Sequence, residues 1–154
     1  MANEIRTKLD AVQNFTISLA ALASSAARQS TMVANPNNRG AALIYLKIES
    51  GAAAPAAGTI YEVYLLRADS AGTYRSDGAG AADAAITIVN AQILGTIVVT
   101  NNANTNFYGD FDTAPLGPLG FSWGIAVKNS TDQALNATEA NHLKEYATYL
   151  PEIQ

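Results

Sequence analysis

An antiparallel β-sandwich of jelly-roll type is the fold this sequence predicts, and three observations predict it. Several tracts alternate apolar and polar residues with period 2, as half-buried strands do. Turn-forming clusters such as NPNNRG, GAAAPAAG and TAPLGPLG separate those tracts. After residue 30 no stretch carries a long helical period. The expectation is about eight strands in two packed sheets. No repeat of fixed period marks a propeller or solenoid.

The elements follow in order. Ile5, Leu9, Val12 and Thr16 step as one helical face would, whereas Phe15, Ile17 and Leu19 alternate as a strand would. Residues 3–12 are therefore read as a short helix or turn capped by Asn3, with an extended segment from Phe15. Residues 29–33 form a strand ahead of the NPNNRG turn. In ALIYLKIES, Ile44, Leu46 and Ile48 make an aliphatic face directed at the core, opposite Leu43, Tyr45, Lys47 and Glu49. TIYEVYLLR sets Tyr61, Val63 and Leu65 against Ile60, Glu62, Tyr64 and Leu66. A long Gly-, Ala- and Asp-rich loop precedes a short strand, a turn near Asn90 and a longer strand over residues 93–100. Residues 106–111 form a further strand, stopped by the Pro/Gly loop after it. FSWGIAVKNS places Trp123, Ile125 and Val127 on one face. Residues 141–149 are read as the last strand, with a helical turn as the alternative. The expected core contains Ile44, Leu46, Ile48, Val63, Leu65, Ile97, Val99, Trp123, Ile125 and Val127.

Composition narrows the function. The chain has 154 residues, enough for one domain with a real core. It is 49% apolar and only 14% charged, against about 25% charged for an ordinary soluble domain. Its surface must be clothed in Ala, Ser, Thr, Asn and Gly, which are easily desolvated against a partner. A net charge of −4 with scattered basic residues argues against nucleic-acid binding. No apolar run approaches the roughly 20 residues of a membrane-spanning helix, so no membrane partner is expected. The opening MANEIRTKLD lacks the apolar centre of a secretion signal. With no cysteine, disulfides and thiol chemistry are excluded, as fits an intracellular product. The sequons at Asn14, Asn129 and Asn136 are then incidental.

Few residues could carry chemistry. Asp110 and Asp112 share a strand face, where they could hold a cation or act as an acid–base pair, or simply be solvated. Asp69, Asp77 and Asp83 could gather around calcium, but the regular ligand spacing of a calcium loop is missing. His142 is the only histidine, and no nucleophile elbow is present. Trp123 shares its face with two aliphatic residues, which places it in the core and not on a sugar-binding platform. The expectation is a protein without enzymatic activity, cofactor or transition metal.

Three segments carry a family resemblance: SSAARQSTMVAN, ALIYLKIESGAAAPAAGTIYEVYLLRADSAGTY and SWGIAVKNSTDQALNATEANHLKEY. They resemble a group of small jelly-roll virion structural proteins of tailed bacteriophages, over nearly the whole length from about Phe15 to Tyr149. The resemblance implies a capsid decoration (cement) protein, made in the host cytoplasm and bound to the major capsid protein on the virion's outer surface. It supplies no catalytic residues. A carbohydrate-binding sandwich on a tail or fibre is the alternative.

Residues 1–30 are expected to form an arm distinct from a sandwich domain at 31–154. The arm carries three basic residues against two acidic ones, leaving −5 on the rest of the chain. Phe15, Ile17, Leu19 and Leu22 need apolar cover, and eight closed strands leave no evident room for them. They are the expected partner-binding residues, docking on the shell or on another copy in a homo-oligomer, with a trimer favoured.

Overall fold

Period-2 alternation becomes register in the central strands. The structure, a computed structural model, describes residues 5–69, 71–74 and 77–153. The strands are β1 (Ile5–Leu9), β2 (Gln13–Asn14), β3 (Ala27–Gln29), β4 (Val33–Ala34), β5 (Ala41–Glu49), β6 (Ile60–Ala68), β7 (Ala84–Ile86), β8 (Gln92–Val98), β9 (Asn106–Asp112), β10 (Ser122–Ser130) and β11 (Leu143–Ile153). One sheet runs β1-β11-β5-β9, with β2 also on β11; the other runs β7-β3-β10-β6-β8, with β4 also on β10. Every pairing is antiparallel.

The order is that of a jelly roll. Setting aside β2, β4 and β7, the outermost strands of the chain pair with each other (β1 with β11), then β3 with β10, β5 with β9 and β6 with β8. A chain doubled into one long hairpin and rolled up gives these four pairs, two in each sheet. Among the described residues there are eleven strands where about eight were expected. The extra three are short: β2 and β4 continue β1 and β3 along the same partners, and β7 adds an edge beside β3.

The helix expected over 3–12 does not form over its described residues, 5–12. Residues 5–9 pair with residues 149–153 of β11, so strand partnership overrides the helical spacing of Ile5, Leu9 and Val12; Asn3 lies outside the described residues. The last strand starts at Leu143, later than expected, because Glu139–Asn141 form a 3-10 turn ahead of it.

All ten expected core residues are buried. They meet between the two sheets, where β5, β6 and β10 each turn one aliphatic face inward. One side of the sandwich is pinched where β8 passes β9. A Cβ on Gly95 would stand 2.5 Å from the Phe111 ring, and one on Gly109 would stand 2.7 Å from both Phe111 and Ile97. These glycines admit the phenylalanine ring between the strands.

A second, smaller cluster lies on the other face of β6 and β10. Tyr64, Leu66, Ala68 and Ala126 are buried there with Tyr74, and Met32, Ile86 and Ile88 pack against them. The cover is the chain's own segment between β6 and β8. Buried Gln29 pins it, donating to Gly80 O and Ala82 O at 2.9 and 2.7 Å and accepting from Ala79 N–H at 2.7 Å. Tyr74 lies over Gly124, where a Cβ would stand 2.3 Å from its hydroxyl and 2.7 Å from Ser30 Oγ. Gly124→Ala is therefore expected to lift this cover and cost about 1–3 kcal/mol, read as a lower urea midpoint.

Candidate functional site

Trp123 is completely buried. Phe15 and Tyr146 meet it edge-on, with ring centroids 5.4 and 5.2 Å away. Phe15 and Tyr146 are 4.5 Å apart. Trp123 and Phe15 lie in the core with half-buried Tyr146 packed against them, so no stacking platform exists at Trp123. The indole N–H has no hydrogen-bond partner, a cost that the surrounding aromatic packing outweighs.

The expected partner-binding residues are instead internal. Phe15 and Ile17 are 3% exposed and Leu19 is fully buried, all three in the core of the sandwich, while Leu22 packs partly buried against it. Residues 13–29 thus belong to the same packed unit as the rest of the chain, contrary to the expected arm. They cross from the β11 sheet to the β3 sheet and close the side of the sandwich opposite the β8–β9 pinch.

That crossing segment is not a strand, so its amide groups need other partners. Phe15 N–H donates to Lys144 O at 2.8 Å. Ser18 N–H donates to the Asp83 carboxylate at 3.2 Å. Leu19 and Ala20 N–H both donate to Glu139 Oε2, at 2.9 and 2.7 Å. Asp83 is held in turn by a two-point pair with Arg28, at 2.5 and 2.9 Å, and Glu139 by Lys144. Two carboxylates distant in sequence thus fasten the segment that carries Phe15, Ile17 and Leu19. Ala21 and Ser25 follow with φ of 52° and 64°, a left-handed backbone that a Cβ disfavours. Ala21→Gly is expected to raise stability by about 1 kcal/mol, visible as a higher thermal midpoint.

The remaining candidates are separate and structural. Asp69 accepts from the N–H groups of Ala71 and Thr73, and Asp77 from those of Val89, Asn90 and Ala91. With Asp83 on Arg28, the three loop aspartates are each spent on a different part of the chain. Among the described residues no three acidic or histidine side chains are grouped as a metal site, and no helix is long and apolar enough to cross a membrane. Buried Asn129 spends both amide hydrogens on Leu22 O and Gln133 O, which closes its sequon to modification in the folded chain.

His142 is 5% exposed, with Nδ1 accepting from Glu49 N–H at 3.3 Å and Nε2 placed 3.0 Å from Asn136 O. That pattern needs the neutral ring, protonated at Nε2. Burial pushes its pKa below the ordinary 6.5, the carbonyl of Asn136 opposing. Glu139 is raised by burial but more than offset by Lys144 and the Ala20 and Leu19 amides, so it lies below the ordinary 4.5. Both groups hold fewer protons folded than unfolded, and stability falls as pH falls. Denaturation midpoints should decline first below about pH 6.5, as His142 charges in the unfolded chain, and further below about pH 4.5 as the carboxylates follow. His142→Asn should flatten the first phase and leave the second.

The two outer sheet faces differ. Outside β6 and β10 the chain covers itself, whereas outside β11, β5 and β9 it does not. Register places Leu143, Lys47 and Tyr108 in one row, Glu145, Tyr45 and Asp110 in the next, and Ala147, Leu43 and Asp112 in a third. Tyr108 is 68% exposed and Leu143 38%. Asp110 and Asp112 do share this face, and they are exposed. Asp112 accepts from the Tyr149 hydroxyl at 2.7 Å and from Ala114 N–H at 2.9 Å. Sequence alternation had put Tyr45 and Lys47 on this outer side. The missing signal was on the other sheet: β6 is apolar on both faces and β10 carries Gly124 and Ala126, a pattern that calls for a covering layer.

Beside this sheet, a groove of about 320 Å³ runs between residues 10–13 and 33–39, with Tyr146 among its lining residues. Its walls are tied by Arg39 on Asp10, at 2.7 Å for both contacts, and by the Thr148 hydroxyl on Asp10 at 2.6 Å. Those three groups are spent on one another. The chain matches no known protein-family model and no curated protein.

Proposed function

We propose that this chain is a non-enzymatic structural protein of a tailed-phage virion, a decoration (cement) protein that binds the major capsid protein on the outside of the shell. The observation that carries this reading is the contrast between the sheet faces: on one, β6 and β10 are covered in cis, and on the other β11, β5 and β9 turn Tyr45 and Tyr108 outward. Attachment to a shell needs such a face and no chemistry. The jelly-roll strand order, a fold that viral capsid and lectin domains share, supports the reading. So do the 14% charge content and the resemblance of residues 15–149 to phage virion proteins. The test is protein identification on gradient-purified virions of the encoding phage. The chain should band with the heads at a copy number comparable to the shell subunit; recovery only in the soluble fraction would refute the reading.

The second reading is a carbohydrate-binding sandwich on a tail or fibre. The observation in its favour is the pair Tyr45 and Tyr108, aromatic rings beside Asp110 on an open sheet. Stacking on sugar rings would protect both tyrosines when an oligosaccharide of the host surface is added.

A further inference from the structure

We propose that the outer face of β11, β5 and β9 is the docking face, and that its occupant is a basic protein surface on the shell. This rests on the reading above and names which surface of the chain makes the contact and what chemistry meets it.

On this face Tyr108 and Leu143 stand exposed, and Leu43 and Tyr45 are half-buried. Tyr108 and Leu143 flank Lys47 in one row, and Tyr45 sits between Glu145 and Asp110 in the next. Tyrosine is the residue type interfaces favour, because a rigid ring with a polar tip buries large area at little entropic cost. On the other outer face Tyr64, Leu66 and Ala126 are already buried beneath the chain's own segment, and the large apolar side chains left exposed on its strands are the aliphatic Ile93 and Val98 of the β8 edge, with no exposed aromatic ring among them.

Charge selects the occupant. Glu145, Asp110 and Asp112 stand against the single Lys47, so the face is net acidic. A second copy laid on it would bring carboxylates to carboxylates, which like-charge repulsion disfavours. Area points the same way. Three strands about 4.8 Å apart and some seven residues long present on the order of 350 Å². A stable pair of free subunits needs about 800 Å² per partner. A face this small holds best against an oppositely charged surface, where Lys and Arg of the partner meet the three carboxylates.

Tyr108 and Asp110 are both exposed and take part in none of the side-chain hydrogen bonds described above, so changing them should leave the fold intact. Tyr108→Ser combined with Asp110→Lys is the variant of choice, with its folding checked by far-UV circular dichroism. Virions stripped of the chain are incubated with wild-type or variant protein, and bound chain is quantified after sedimentation. Occupancy of the variant should fall by about tenfold or more, and wild-type occupancy should fall as ionic strength rises. Hydroxyl-radical labelling of Tyr108 should be strong in the free chain and suppressed on the particle. Wild-type-like occupancy of the variant, or Tyr108 equally reactive on the particle, would overturn the docking face while leaving the decoration role standing. Failure of the wild-type chain to bind at all would overturn both. Suppression of Tyr108 labelling by an oligosaccharide alone would assign the face to sugar binding instead.

Discussion

Deleting residues 1–20 will leave a chain that does not fold. The deletion removes Phe15, Ile17 and Leu19 from the centre of the core. Burial of each contributes roughly 1.5–3 kcal/mol, about 5–9 kcal/mol together, against a total of about 5–15 kcal/mol for a domain of ordinary stability. The loss does not stop there. Glu139 and Asp83 would lose the amide groups they now fasten, and β11 would lose both β1 and β2 along one edge. Far-UV circular dichroism and urea titration read the outcome. A truncated chain with a cooperative transition would contradict the assignment of residues 13–29 to the sandwich.

Trp123→Ala is expected to cost about 3–5 kcal/mol, the largest effect of any single substitution considered. Phe15 and Tyr146 would both lose their edge-on partner, and the two sheets could not close over the void without shifting the β10 sheet against the β11 sheet. Trp123→Phe should cost much less, since it keeps a ring in place and removes an N–H that has no partner. Guanidinium unfolding followed by circular dichroism gives the comparison. In the wild type, the single tryptophan should show the blue-shifted emission of an indole shielded from water, and exposed-type emission would contradict its position.

The central strands were legible because alternation reports directly on which face is buried. Ile44, Leu46 and Ile48 on β5 and Trp123, Ile125 and Val127 on β10 each lie in a run where every second residue is apolar, and all six are buried. The same logic read Phe15, Ile17 and Leu19 as extended and in need of cover. What it could not supply was the partner. The gap they fill exists only once β11 and β3 stand in different sheets, and their amide groups are met by carboxylates 65 and 119 to 120 residues away. Helical spacing at Ile5, Leu9 and Val12 misled for the same reason: strand pairing with residues 149–153 decides that segment, and local pattern carries no trace of it. The aspartates of the long loop looked like a cation site by composition. Asp69 and Asp77 instead each accept from the amides of a turn, and Asp83 pairs with Arg28 on β3. The open face was visible as a list of outward residues on β5, but its significance depends on the other sheet being covered, a tertiary fact.

A density map of the intact virion is the most direct test of the decoration role. It should show the jelly roll on the outer surface of the head, seated through β11, β5 and β9, with Tyr108 and Asp110 at the contact and the segment between β6 and β8 facing solvent. A map that placed the chain on a tail fibre with Tyr45 and Tyr108 open, or that lacked the chain altogether, would contradict it.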